Sequence, residues 1–460
     1  MEKKTKKRIL SMIMGLIVII CLGVFHYFGF ISGRFGAHGG FHDRARMHEW
    51  DLSLSSFSGT VMKPVFPENG FLQLTSAADQ GTLSVTVKSG RKVIYEMNGV
   101  ESESLILPVP GRVTVSVKAE HFSGDIHVTA GVTEPVSAGN IYLYGEAHSD
   151  VKILEMELEI WKEYYDSGMR DLFIEHAYYT AQFMNLWMHS DDDTIFNELF
   201  SDWEGTQDDT PQVKEFYQTI KRECPETVFH GTDVGHQYDT TGARYLKYLL
   251  DNGYAVDSEE YILANKCIEQ GRNYYGNGGG MYREIQMLNN FISEYESMGG
   301  KSVMGIFGSA HTDPAGMDYM TGTVPCMGNA LGKIYKDKVN SVNLCEIVRS
   351  LTAEPVSEEI ITINGKEYAA SYFGSMDLSA VLPGYRSRDV WRIEGAYEDF
   401  KNVPVTGNVL PYDNYPMNIE PGQIYKLVYT MDDGSTFTEY HRFDGNEWQG
   451  KSITEQMDLQ

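Results

Sequence analysis

Cysteine is scarce in this chain. Five cysteines occur in 460 residues, and no two of them are spaced as a C-x-x-C pair. A disulfide scaffold is therefore excluded, and a zinc site built from thiolates is disfavoured. The composition is otherwise that of a globular protein, with 42% hydrophobic and 22% charged residues, and the length predicts roughly two to four domains.

Basic residues are in the minority. The 38 lysines and arginines stand against 64 aspartates and glutamates, which gives a net charge of −26. Such a surface would repel a phosphate backbone, so nucleic acid is not expected as a partner. The expected partner is instead a small-molecule or peptide substrate.

Long apolar runs are rare, and the most prominent one lies near the start. Residues 9–31 contain no Asp, Glu, Lys or Arg, and a cluster of lysines and one arginine precedes them. A helix of this length, roughly 35 Å, is enough to cross a bilayer. The positive-inside rule then predicts a cytoplasmic basic tail (1–8), a transmembrane anchor (9–31) and an extracytoplasmic body at the cell membrane. A cleaved signal peptide is the alternative, but no A-x-A site follows the run.

The rest of the chain divides by its pattern of hydrophobic residues. Residues 32–49 are rich in Gly, His and Arg and predict a flexible tether. Residues 50–135 consist of alternating runs separated by turns, which predict a small β-sandwich. Residues 138–350 alternate strands with helices and predict an α/β domain with a largely parallel sheet. Residues 351–460 return to β patterning and predict a β-rich C-terminal region.

Acidic and histidine side chains follow four of the predicted parallel strands. Because parallel strands end on one rim of a sheet, these side chains are expected to lie close together. A lone histidine is more often structural, but four such placements weaken that interpretation. In chain order, the candidates are Glu146 and His148 after the first strand, Glu175 after the second, Asp233 and His236 after the third, and His311 after the fourth.

The same segments resemble a known superfamily. The motifs GEAH, GTDVGHQ, RExxM and GSAH, which begin at Gly145, Gly231, Arg283 and Gly308, are similar to those of the Tiki/TraB, ChaN-like and erythromycin-esterase superfamily. The resemblance covers about residues 140–313, and its motif order is closest to the erythromycin-esterase and ChaN-like side. It implies an α/β fold and a shared site. The functional positions that it implies are Glu146, His148, Glu175, Arg283 and His311.

Two mechanisms fit these residue types. Without a metal, His148 or His311 would act as general base, oriented by Glu146 or Glu175. Arg283 would then stabilise an oxyanion or hold a substrate carboxylate. With a metal, a bound Mn, Co or Zn ion would lower the pKa of water. Its ligands would be His148, Glu175, Asp233 and His311, with His236 as a further candidate.

Haem is a weaker alternative as cofactor. The resemblance to ChaN-like proteins implies that a tyrosine can ligate haem, and Tyr178 and Tyr179 follow Glu175 closely. The predicted function is a membrane-anchored extracytoplasmic hydrolase of ester or peptide bonds, with a His/Glu site at the strand ends. The alternative is a non-catalytic surface protein that binds haem or a cell-wall ligand on the same fold.

Overall fold

The computed structural model describes residues 2–98, 103–132, 139–351, 354–378, 382, 384–448 and 451–459. The predicted boundary between the sandwich and the α/β domain, at residues 135–138, lies outside them. Within the described residues the chain forms three sheets, one amino-terminal and antiparallel, one central and parallel, and one carboxy-terminal and antiparallel.

The amino-terminal sheet has six strands. They are β1 (Gly33–Arg46), β2 (Glu49–Val65), β3 (Phe71–Ser89), β4 (Lys92–Asn98), β5 (Glu103–Pro108) and β6 (Val113–Ala130), in the order β1-β2-β6-β3-β4 with β5 also paired to β3. The long strands β3 and β6 bend where Gly81 and Gly124 have positive φ and lie against a neighbouring backbone that leaves no room for a Cβ. Apolar side chains from both halves of the bent sheet share one core, so the sheet folds over as a sandwich.

The predicted flexible tether is wrong, because most of residues 32–49 form strand β1. This strand pairs with β2 from Gly33 opposite Met62 to Arg46 opposite Glu49. Ala37, Phe41 and Ala45, spaced four positions apart along the strand, pack against the sandwich core. A glycine-rich composition therefore conceals a strand whose small and aromatic residues face inward.

The first helix, α1 (Glu2–Tyr27), precedes the sandwich. Its end contacts the sandwich, where the Arg112 guanidinium lies 4.3 Å from the centre of the Tyr27 ring. Across the part of the chain that the structure describes, no helix is long and apolar enough to cross a membrane.

The central sheet has five parallel strands, which confirms the prediction of a parallel α/β layer. They are β7 (Ile141–Glu146), β8 (Asp171–Ala177), β9 (Val228–Asp233), β10 (Val303–Gly308) and β11 (Val339–Asn343), in the order β11-β7-β10-β8-β9. All six residues of β10 are buried, as expected for an inner parallel strand. Because β10 lies between β7 and β8, the ends of these three strands are neighbours, with Gly308 opposite Glu146.

Helices cover this sheet and follow the strand ends. They are α2 (Val151–Asp166), α3 (Tyr178–Met188), α4 (Thr194–Asp202), α5 (Pro211–Glu223), α6 (Ala243–Asp251), α7 (Glu259–Asn273), α8 (Gly279–Ser297), α9 (Ser309–Thr312), α10 (Met327–Tyr335) and α11 (Leu344–Leu351). The start of α2 is capped by Asp150, whose carboxylate accepts hydrogen bonds from the backbone N–H groups of Lys152 and Ile153.

Helix α8 joins the sandwich to the central sheet. Phe291 lies in the core under the sheet, whereas Ile285 lies in the sandwich core. The Asn289 side chain bonds both the N–H and the C=O of Ile106 in β5, at 2.7 and 2.8 Å. The two regions therefore share buried surface along one helix.

The carboxy-terminal sheet has eight antiparallel strands and its own apolar cores. Its elements are β12 (Ser357–Ile363), β13 (Lys366–Asp377), β14 (Tyr385–Ile393), α12 (Tyr397–Phe400), β15 (Val405–Pro411), β16 (Gln423–Met431), β17 (Thr436–Phe443), β18 (Glu447–Trp448) and β19 (Lys451–Met457). Strands β16 and β17 form a hairpin, as their alternating pattern predicts. A contact with the central region is made by Tyr412, whose hydroxyl donates to Glu346 at 3.3 Å.

Candidate functional site

Four of the predicted site residues converge at the carboxyl ends of the parallel strands. The Oε1 atom of Glu175 lies 3.8 Å from His148 Nε2 and 3.4 Å from His311 Nε2. Arg283 reaches the same oxygen from α8, with its Nη2 at 2.5 Å. These side chains lie close together, as expected, because the order of the strands places their ends side by side and α8 brings Arg283 to them.

His148 is paired with Glu146 and remains partly open to solvent. Its Nδ1 donates to Glu146 Oε1 at 3.0 Å, while its Nε2 faces Glu175, and 27% of the side chain is exposed. Burial opposes the charged imidazolium, but the charges of Glu146, Glu175 and Asp208 outweigh it and raise the pKa of His148 well above its usual range. When His148 is neutral, its bond to Glu146 fixes the tautomer and leaves Nε2 unprotonated, which is the arrangement that a general base requires.

Glu175 is a buried carboxylate with both oxygens occupied. Its Oε1 accepts from Arg283, and its Oε2 accepts from the backbone N–H of Gly308 at 2.6 Å. Burial alone would raise the pKa of Glu175, but the positive charges of His311, Arg283 and His148 lower it to about 2. Glu175 is therefore a permanent negative charge at the floor of the site.

Arg283 points into the site and not along the surface of its own helix. Its Nε and Nη2 bond the two oxygens of Asp233 at 3.0 and 2.6 Å, in a bidentate fork. The pKa of Asp233 is held below its usual range, because Arg283 and His236 outweigh the effect of burial. Since Glu175 shares the same guanidinium, Arg283 holds two ionised carboxylates in place, and its donors are largely used.

His311 is buried and is held by a residue that sequence reasoning missed. Its Nδ1 donates to Glu284 Oε1 at 2.5 Å, and Glu284 Oε2 accepts from the backbone N–H of Met327 at 2.9 Å. Burial opposes the charged form, but Glu284 and Glu175 raise the pKa of His311. A charged residue next to Arg283 on a helix is expected to be exposed. Glu284 is instead buried, because the rotation of α8 turns it inward.

A second imidazole–carboxylate pair stands beside Arg283. His236 Nε2 donates to Asp233 Oδ2 at 2.9 Å, and the Tyr275 hydroxyl contacts His236 Nδ1 at 2.5 Å. Tyr275 lies on a wide helical turn that connects α7 and α8. No sequence motif pointed to this tyrosine, because its partner is 39 positions away.

A buried carboxyl group lies behind the Glu146–His148 pair. Glu157 of α2 is fully buried, and neither of its oxygens has a hydrogen-bond partner among the described residues. Burial and the nearby charge of Glu146 raise the pKa of Glu157 well above its usual range, although His148 opposes this. Its surroundings therefore favour the protonated, neutral form of Glu157, and sequence reasoning did not single it out.

The predicted metal ligands do not fit a metal ion well. Among the described residues, three ligand atoms come within 4.8 Å of one another only at Glu49, Asp51 and His127, on the sandwich. At the strand ends, the carboxylates of Glu175 and Asp233 are instead neutralised by the Arg283 guanidinium. A divalent cation at this position would be repelled by the arginine and would have to displace these bonds.

The two tyrosines considered for haem do not fit that cofactor either. Tyr179 is fully buried and donates its hydroxyl to the backbone oxygen of His236. Tyr178 packs edge-on against Tyr245, with the ring centres 6.3 Å apart. Burial raises the pKa of both phenols, which disfavours the phenolate that would bind iron.

Comparison with known proteins adds information on the fold alone. No family model and no curated protein matches the chain. A solved Bacillus cereus protein overlaps with a TM-score of 0.32 and 13% identity, over 45% of this chain and 66% of that chain. A succinoglycan biosynthesis protein overlaps with a TM-score of 0.32 and 14% identity, over 50% and 70%. A mutant of the erythromycin esterase EreC, in an open conformation, overlaps with a TM-score of 0.33 and 10% identity, over 45% and 69%.

These overlaps are partial and distant. The chain spans just under two thirds of the Bacillus cereus protein. Neither the erythromycin-esterase side nor the Tiki and TraB side of the resemblance rests on these overlaps. Since the TM-scores are near 0.3, they carry no argument about chemistry, which has to come from the side chains of this chain.

Proposed function

We propose that this chain is a hydrolase that cleaves ester bonds with a metal-free His–Glu site, with peptide bonds as a second and less favoured substrate class. The observation that carries the proposal is the Glu146–His148 pair. Glu146 fixes one imidazole nitrogen, the other faces ionised Glu175, and 27% of the His148 side chain is exposed. This is the relation between orienting carboxylate and base that is used in hydrolytic sites.

The proposed reaction is direct attack by water. His148 Nε2 takes one proton from water while the water oxygen bonds to the ester carbonyl carbon, and Glu146 stabilises the imidazolium that forms. When the intermediate collapses, the carbon–oxygen bond to the alcohol breaks, and the alcohol leaves with the proton from His148. The products are a carboxylic acid and an alcohol, with no other reactant consumed.

Two further positive charges, on Arg283 and His311, contribute to the electrostatics of the site. Arg283 and His311 surround Glu175, and Arg283 also holds Asp233. Because these two cations are paired with the carboxylates of Glu175, Asp233 and Glu284, their part is to reduce the repulsion that ionised Glu175 would exert on an anionic intermediate. We therefore assign the proton transfer to His148 and the electrostatic support to Arg283 and His311.

Ester bonds are favoured because no strong nucleophile is in place among the described residues of the central region. Burial raises the pKa of Cys267, Cys326 and Cys345, which keeps these thiols protonated. Ser309 of the GSAH motif hydrogen-bonds to Cys345 and has no imidazole partner. Water activated by one imidazole suits an ester better than a more resistant amide.

The test is hydrolysis of p-nitrophenyl acetate and p-nitrophenyl butyrate by the full chain, before and after treatment with EDTA. We expect turnover that EDTA does not change and that falls about 10²–10⁴-fold in His148→Asn, the range of general-base catalysis. The matched control is His189→Asn, an exposed histidine at the end of α3. Turnover that needs a metal, or that survives His148→Asn, would contradict the mechanism. Absence of any turnover would favour the non-catalytic binding alternative.

We also propose that residues 9–31 hold the body at the outer face of a cell membrane. Support comes from the uncharged run behind a basic cluster, and from the side chains of Leu16 to Val24, of which the large apolar ones are about half exposed or more. Protease treatment of intact cells should cleave the β16–β17 hairpin. Protection of this hairpin in intact cells would contradict an external body.

A further inference from the structure

Strands β2 and β6 of the sandwich present polar side chains on their outer face. Along β2, Glu49 and Asp51 alternate with Trp50 and Leu52, which are buried in the core. Because successive side chains of a strand point to opposite faces, the two carboxylates share the outer face. The position directly opposite Asp51 on β6 is occupied by His127. The register of the two strands therefore places one imidazole beside two carboxylates at the surface of the sandwich.

These three side chains converge on one point that solvent reaches. One ligand atom from each lies within 4.8 Å of the other two, which no other set of histidine, cysteine and acidic residues achieves in the described ranges. His127 Nδ1 lies 2.5 Å from Asp51 Oδ1, and Arg46 bonds one oxygen of Glu49 at 2.8 Å. The exposed fractions of the Glu49, Asp51 and His127 side chains are 32%, 41% and 45%. A solvated ion can therefore reach all three from outside, with no need for an internal cavity.

The ring of His127 is held in the orientation that a metal ligand needs. Its Nε2 hydrogen-bonds to Thr129 Oγ1 at 2.7 Å, so Nδ1 is the nitrogen that faces the carboxylates. Metal-ligating histidines almost always have a partner on the second ring nitrogen, which fixes the tautomer and the ring orientation. Both strands belong to a continuous sheet, and ligands on strands are positioned more precisely than ligands on loops.

We propose that Glu49, Asp51 and His127 bind a divalent first-row transition metal ion, with Zn²⁺ as the probe. Imidazole and carboxylate groups are ligands of such ions, and water completes a site with three protein ligands. Bonds of roughly 2.1 Å at tetrahedral angles separate ligand atoms by about 3.4 Å, so Asp51 Oδ1 and His127 Nδ1 would move apart by about 1 Å.

The bound ion would take the place of the proton between Asp51 and His127, which leaves to solvent, and it would link β2 to β6. The net charge of −26 attracts cations to the surface, while the bond from Arg46 to Glu49 is the contact that a metal has to compete with. This site is separate from the proposed hydrolase site, and the ion would stabilise the sandwich without taking part in the reaction.

The test is calorimetric titration of ZnCl₂ into the full chain, after metal has been removed with EDTA and the EDTA by dialysis. The thermal midpoint is measured with and without Zn²⁺. His127→Gln and Glu49→Gln each remove one ligand, whereas Thr129→Val removes only the support of the imidazole ring. The matched control is His189→Gln, an exposed histidine at the end of α3. His148→Asn shows whether zinc binds at the carboxyl ends of the parallel strands instead.

We expect one zinc ion per chain and a thermal midpoint that rises with zinc concentration, because the ion binds the folded protein. Binding should weaken at least about tenfold in Thr129→Val, the range for loss of a supporting contact, and further in His127→Gln and Glu49→Gln. His189→Gln and His148→Asn should bind zinc as the wild-type chain does.

Absence of zinc binding by the wild-type chain would overturn the proposal. Wild-type affinity in Glu49→Gln would also overturn it, because the other two residues would then form only a cross-strand ion pair. Loss of binding in His148→Asn would overturn it and would place the ion in the candidate hydrolase site. If His127→Gln does not fold, Glu49→Gln and Thr129→Val decide the outcome.

Discussion

The two ends of the central sheet carry the same residue types but use them differently. At the carboxyl end, His148 is held by Glu146 through one nitrogen and keeps the other free. Towards the amino end, His230 of β9 donates to both Glu294 and Asp171, at 2.8 and 3.0 Å, and stacks on Phe173. His148 has 27% of its side chain exposed, whereas His230 has 9%.

This difference teaches that a shifted pKa does not by itself identify a reactive histidine. Burial opposes the charged form of both imidazoles, and neighbouring carboxylates raise the pKa of both. His230 has both nitrogens bonded to carboxylates, while His148 has only Nδ1 bonded and keeps part of its side chain exposed. We therefore interpret His230 as structural and His148 as the base.

Replacement of Arg283, the cation at the carboxyl ends of the parallel strands, should have the largest effect on stability. Arg283→Met leaves Glu175 and Asp233 buried without their partner, and we expect a loss of about 3–5 kcal/mol in the free energy of unfolding. Urea denaturation of the full chain measures it, with Arg272→Met as an exposed control from α7. A loss below about 1 kcal/mol would mean that solvent reaches these carboxylates and that the site is more open than its burial indicates.

Replacement of His230, near the amino ends of the parallel strands, should lower the free energy of unfolding by less. In His230→Gln, Asp171 and Glu294 lose charged hydrogen bonds, but both are partly exposed, and we expect a loss of about 2 kcal/mol at pH 6. Because the folded pKa of His230 is raised, the stabilisation is full below about pH 6.5 and disappears as the pH rises through the folded value. The cost of the substitution should therefore shrink at high pH. A loss of unfolding free energy that stays constant from pH 6 to 10 would contradict a charged His230 in the folded protein.

Activity should rise with pH, whereas the stabilisation by His230 falls as the pH rises. His148 acts as a base only when neutral, and its raised pKa delays loss of the proton to above its ordinary value of about 6.5. We expect kcat/KM for p-nitrophenyl butyrate to rise roughly tenfold per pH unit through neutrality and to level off at alkaline pH. A plateau already reached below pH 6.5 would assign the base to another group.

The smallest expected effect concerns the buried acid behind His148. Since its surroundings favour the protonated form of Glu157, Glu157→Gln keeps the charge and shape of that form, and we expect a change of less than about 1 kcal/mol in unfolding free energy. Glu175→Gln is the matched comparison, because it removes an ionised partner of Arg283 and should cost clearly more. Equal losses of unfolding free energy for the two substitutions would show that Glu157 is charged in the folded protein and hydrogen-bonded to water.

Much of the fold follows from local patterns. Alternation of apolar residues predicts the parallel strands and the β16–β17 hairpin, and the motif GEAH together with Glu175 and GSAH places carboxylates and imidazoles directly after strands. The same reading fails for β1, where glycine content suggests a tether. It also fails for the metal ligands, because residue types alone do not show that Arg283 already holds Glu175 and Asp233.

Sequence by itself determined which residues stand at the strand ends, because strand period and turn signals act over a few neighbouring positions. Tertiary structure alone decided which of them meet. The order of the strands brings Glu175 to His148, and the rotation of α8 aims Arg283 at Asp233 and Glu284 at His311. Those pairings join residues 27 or more positions apart, as for His311 and Glu284. They depend on packing of the whole domain, which no local pattern encodes.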